Sequence, residues 1–154
     1  MGDALPMTSP PPTEALKPLL VLGVLANERR RHWRERLREL YKPFTDSGSV
    51  VIRYIVDEKW MAARKDEATA DEIGVHVGPG TDRHCAHKMI GWWRAAHKWP
   101  GAYYAKTDDD AMLDLSRILP LLEAMPRRGL YSGILRYSSI NETSLEGVCW
   151  SAGA

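Results

Sequence analysis

Eight apolar residues in a row, Leu19-Leu20-Val21-Leu22-Gly23-Val24-Leu25-Ala26, leave this chain few ways to fold. The run has strand length and is short for a helix. A strand apolar on both faces must be covered on both, which fits the middle of a parallel sheet better than an edge. Asn27 follows at its carboxyl end, suited to cap a helix over residues 28–42. On that helix Trp33, Leu37, Leu40 and Tyr41 share one face at helical spacing, and Arg30, Arg34 and Arg38 line another. The arginines read either as a solvated face pairing with Glu35 and Glu39, or as one or two guanidiniums reaching a diphosphate beside the first strand.

The alternation continues. Residues 49–56 read as a second strand ending at Asp57, where Asp57 and Glu58 either start a helix or meet a ribose or base. A helix over 60–70 and a short third strand over 71–77 come next, broken by Gly78-Pro79-Gly80. In the helix expected over 83–98, Cys85, Met89, Trp92, Trp93 and Ala96 form a core stripe, with His84, His87, Lys88 and His97 off it. His84 and His87 are spaced to share a metal, but no third ligand accompanies them, so exposed histidines are the plain reading. The β-prone stretch Ala102-Tyr103-Tyr104-Ala105-Lys106-Thr107 is a further strand, and it runs straight into Asp108-Asp109-Asp110.

Ligands of parallel α/β sheets bind just beyond the carboxyl ends of the strands, where this triplet falls. Carboxylates two apart can turn toward one hard divalent cation, which in turn holds a diphosphate. The alternative is a solvated acidic loop ahead of a helix capped by Asp114. That helix, over 114–123, should kink or split at Pro120, and residues 129–135 look like one more strand.

The 154 residues suit a single domain, with residues 1–18 a proline-rich, extended leader holding five of the ten prolines. A net charge of +1 argues for neither a nucleic-acid nor a membrane-surface partner. No apolar run approaches the roughly 20 residues that span a bilayer, and residues 1–18 lack the basic and apolar regions of a signal peptide. Cys85 and Cys149 allow at most one internal bridge, which leaves the redox compartment open. No G-x-x-x-x-G-K-[ST] loop is present to cradle a triphosphate.

Several blocks resemble the β1,3-galactosyltransferase-like hexosyltransferases of glycosyltransferase family 31. Leu22-Gly23-Val24 followed by residues 34–41 is similar to that family's strand and R-x-x-I-R-x-T-W helix, with Leu37-Arg38 at its Ile-Arg and Leu40 and Tyr41 in place of its Thr and Trp. Glu67 with Asp71-Glu72-Ile73 resembles its E…D-I-(L/V) segment, and Lys88 with Trp92-Trp93 its K-T…W helix. Lys106-Thr107-Asp108-Asp109-Asp110-Ala111 resembles K-T-D-D-D-V, and Gly129-Leu130-Tyr131-Ser132-Gly133 the small strand beyond it. The blocks keep the family's order and similar spacing from Leu19 to Gly133.

The resemblance implies a GT-A-like (Rossmann-like) α/β fold, a mostly parallel sheet flanked by helices. It implies inverting transfer of galactose or N-acetylhexosamine from a UDP-sugar to a glycan or glycoprotein acceptor, at the lumenal side of the Golgi membrane. Asp108 and Asp110 would hold Mn²⁺ or Mg²⁺ against the UDP diphosphate, Asp109 would lie near the ribose or sugar, and Arg34, Arg38 and Lys88 would support the nucleotide. The family's general base and acceptor site come after the region covered, and Glu142 and Glu146 match no family motif. Residues 19–154 are therefore expected to be the donor-binding part of a domain truncated at its C-terminus, any membrane anchor lying outside the chain. Another metal-dependent nucleotide enzyme using Asp108–Asp110, or a non-catalytic α/β interaction module, stay open as alternatives.

Overall fold

A computed structural model of the chain describes residues 17–78, 84–130 and 132. It is an α/β structure, with a four-stranded, all-parallel sheet between helices. The strands are β1 (Leu20–Leu25), β2 (Val50–Asp57), β3 (Glu72–Val75) and β4 (Tyr103–Asp108), in the order β3-β2-β1-β4. The apolar run takes the interior place its composition demands: every residue of β1 is buried. Leu20 to Leu25 pair with Val50 to Ile55 on one side and with Tyr103 to Asp108 on the other.

Side chains of β1 alternate between two cores, as the period of a strand requires. Leu20, Leu22, Val24 and Ala26 meet Leu37 and Tyr41 of α1 (Arg31–Asp46) and Leu115 of α4 (Leu115–Ala124). Val21 and Leu25 meet Trp92 and Ala96 of α3 (His84–Ala96) on the opposite face. The first helix opens as a 3-10 turn at Glu28–Arg30, where the Asn27 side chain accepts from the Arg29 N–H as an N-cap. Asp57 caps α2 (Glu58–Ala63) by accepting from Lys59 N–H, which makes it a helix-start acid.

Several local expectations need correction. The inward stripe of α1 is Arg34, Leu37 and Tyr41, whereas Trp33 and Leu40 are exposed. The stripe turns this way because β3 presents an acid that a buried Arg34 can pair with. In α3, Trp93 is 47% exposed while Lys88 is buried. A helix lying on a sheet buries only a narrow stripe, and Lys88 has acceptors to meet there. The helix expected over 60–70 is instead α2 and a separate 3-10 turn, Lys65–Glu67. Pro120 does not split α4: the helix runs through it, and Ser116, whose carbonyl loses its donor, is exposed. Of residues 129–135, Gly129, Leu130 and Ser132 are not in a strand, and the others lie outside the described residues, as do residues 1–16 and the acids Glu142 and Glu146. Among the described residues no helix is long and apolar enough to cross a membrane.

Candidate functional site

The carboxyl ends of β1 and β4 lie side by side, since Leu25 is in register with Asp108. One further backbone bond, Asp109 N–H to Leu25 C=O at 3.2 Å, carries the pairing past the strand end. The chain then turns, Ala111 N–H donating to Asp108 C=O at 3.2 Å. The three carboxylates consequently sit in three environments. Asp109 is buried, and its Oδ2 accepts the Asn27 N–H at 2.7 Å. Burial pushes the Asp109 carboxyl up, the charge of Asp110 adds to this, and the Asn27 N–H, Arg30 and Arg34 oppose it. Asp110 is exposed and pairs with Arg30 Nη1 at 3.0 Å. Asp108 Oδ1 is buried without a hydrogen-bond partner, and the ammonium of Lys106 stands 4.0 Å away.

The loop joining β1 to α1 is held by three side chains, one each from α3, α1 and the turn after β4. Lys88 of α3 donates to Ala26 C=O at 2.6 Å and to Glu28 Oε1 at 2.5 Å. Arg34 of α1, 0% exposed, donates from Nη1 to Asn27 C=O at 2.9 Å and from Nε to Glu72 Oε1 at 3.0 Å. Asp109 takes the Asn27 N–H. Glu28 also accepts the Asp57 N–H at 2.8 Å, which ties this loop to the end of β2. Burial alone would raise the Glu28 carboxyl; the bonds from Lys88 and Asp57 outweigh it and hold the group below its usual range.

Arg34, Lys88 and Asp109, singled out in the sequence as nucleotide contacts, are thus brought together by the main chain of Ala26 and Asn27. Arg38 stands apart. It pairs with Asp71 through Nε and Nη2 at 2.8 and 2.9 Å, reaches Glu72 at 3.2 Å, and lies 4.7 Å over the Tyr54 ring. The blocks at residues 34–41 and 71–73 therefore touch through ion pairs from α1 to Glu72 of β3 and to Asp71 just before it. Glu28 is the residue that sequence reasoning missed. Its signal was its place, three residues past an interior strand at the ligand end of a parallel sheet.

A groove of about 510 Å³ borders the triplet, lined by Asp109, Asp110 and Met112 on one side and by Trp33, Leu37 and Leu40 of α1 on the other. No protein-family model, curated protein or solved structure matches the chain. What the geometry can do chemically rests on its own residues. Among those described, no group of three or more His, Cys, Asp or Glu forms a ready metal cage. A hard divalent ion needs no cage when it takes one or two carboxylates and completes its shell with phosphate oxygens and water. Asp108, with an oxygen lacking any hydrogen bond, and exposed Asp110 fit that mode of binding.

Proposed function

We propose that the chain is the donor-binding part of a GT-A-type, inverting hexosyltransferase resembling glycosyltransferase family 31. On this reading it takes a UDP-sugar and serves transfer of galactose or N-acetylhexosamine to a glycan or glycoprotein acceptor at the lumenal face of the Golgi membrane. The observation that carries the reading is Asp108: an acid with a buried oxygen and no hydrogen bond to it, at the carboxyl end of a strand paired with the innermost apolar strand. Such a group costs stability, and a bound cation would relieve the cost. Asp108 and Asp110 would hold Mn²⁺ or Mg²⁺, which would offset the charge that gathers on a departing UDP. No base for the acceptor hydroxyl is assigned among the described residues.

The groove beside the triplet supports a second reading, a non-catalytic interaction module, because Trp33, Leu40 and Met112 are exposed there. Calorimetric titration of UDP into the full chain, with and without Mn²⁺, separates the readings. The donor-site reading expects binding that requires Mn²⁺ and is lost in Asp110→Ala. Stability in that variant should move by no more than about 0.5 kcal/mol, because the side chain is exposed. Equal binding of ADP or GDP would transfer the triplet to another metal-dependent nucleotide enzyme. No binding by a folded chain would favour the module.

A further inference from the structure

We infer that Lys88 and Arg34 are positioning residues: by gripping the main chain at Ala26 and Asn27 they aim the Asn27 N–H at Asp109 and so set the turn that carries Asp108 and Asp110. The consequence for ligand binding rests on the donor-site reading, while the geometry does not. The two cations approach one bend from opposite faces of the sheet, Lys88 from α3 and Arg34 from α1. Each is almost fully buried, at 4% and 0% exposure, and each brings its own carboxylate, Glu28 and Glu72. A neutral donor would satisfy a loop carbonyl without the desolvation that a buried charge carries. The Ala26–Asn27 peptide group shows what the charge adds. Its C=O accepts the Lys88 ammonium and its N–H donates to the Asp109 carboxylate, so the bonds at its two ends polarise one another. Asp109 lies between the two proposed metal-binding acids, and fixing its carboxylate fixes the turn on both sides of it. On this view Lys88 and Arg34 act through the protein backbone, and neither needs to touch a phosphate.

The experiment uses the full chain and two variants. Lys88→Met keeps the length of the side chain and removes the ammonium, and Lys88→Met/Glu28→Gln also removes the carboxylate left alone, which guards against a variant that fails to fold. Amide hydrogen exchange is followed by NMR at Asn27 and, as an internal reference, at Tyr54 and Val56 of β2. Exchange at Asn27 should quicken by about tenfold or more in both variants, beyond any change at the β2 amides, because only the local opening is affected. Mn²⁺-dependent UDP affinity should fall about tenfold, the usual size of an effect transmitted through one supporting residue. Unchanged Asn27 protection in a folded double variant overturns the inference, as does lost protection with intact UDP affinity. A wild-type chain that binds no UDP defeats the donor-site reading alone; the exchange at Asn27 still decides whether Lys88 acts through it.

Discussion

At Gly23 a hydrogen atom is all that separates β1 from the indole of Trp92. A Cβ built there would collide with the ring. Trp92 is fully buried, and its Nε1–H donates to Ala105 C=O at 3.0 Å, so it can neither tilt away nor leave without orphaning that carbonyl. Gly91 shows the same constraint from the helix side, since its Cβ would stand 2.6 Å from Val75 Cγ1. Gly23→Ala should therefore destabilise the fold by about 1–3 kcal/mol through overpacking. The check is a lower urea midpoint with an unchanged m-value; a midpoint equal to wild type would show that the indole can move. At this scale the sequence conceals as much as it displays. Gly23 is visible in an apolar run, but its partner lies 69 positions on, in a helix on one face of the sheet. Arg34 was legible as a charge near the first strand; its burial was not, because Glu72 lies 38 residues away and belongs to another element.

Between elements, α1 is joined to the start of β3 by a bidentate ion pair. Arg38 meets Asp71 bidentately, and Thr69 Oγ1 donates to Asp71 Oδ1 at 2.6 Å. Burial alone would raise the Asp71 carboxyl, but Arg38 and Thr69 outweigh it and hold the group below its ordinary 3.8. A carboxyl lowered in the folded state binds its proton less readily there than in the unfolded chain. Its contribution is therefore complete above pH 3.8 and disappears as pH falls through the lower folded value. Asp71→Asn should lose about 1 kcal/mol at pH 7, typical of a well-formed, partly exposed pair. The difference from wild type should narrow below pH 3.8, measured by urea unfolding at pH 7, 4 and 3. A constant gap would mean that the pair contributes through shape, not charge. Periodicity found α1, although the helix runs on to Asp46, past the expected end at 42, and it misjudged the orientation by placing Trp33 and Leu40 on one apolar face with Leu37 and Tyr41. Spacing on a helix is blind to what the facing sheet offers, and here the sheet offers an acid.

At the scale of the molecule, two apolar layers share one sheet among the described residues: α1 and α4 cover one face and α3 the other. Because β1 and β2 supply side chains to both layers, neither layer can dissolve and leave the other intact. Unfolding followed by tryptophan fluorescence, to which buried Trp92 contributes, should coincide with that followed by far-UV circular dichroism. An earlier fluorescence transition would mean that α3 detaches first. The architecture was the most legible level of all. A first strand that is apolar throughout announces a sheet covered on both sides, and the triplet's place follows from the β-prone stretch that runs into it, β4, which pairs beside that strand. The grip on Ala26 and Asn27 was illegible because two of its acceptors and one of its donors are peptide groups, which every residue carries alike.

The order of the strands also has a consequence in time. β1 and β2 are near neighbours along the chain, and β3 follows soon after, so three strands can pair while synthesis is still under way. Among the described strands β4 comes last and inserts on the far side of β1, and the bond from Asn27 to Asp109 closes a separation of 82 residues. Closing so long a loop is slow compared with pairing neighbours. A nascent chain thus carries β1, β2 and β3 before it carries any acidic triplet, and the site comes into being with the docking of β4.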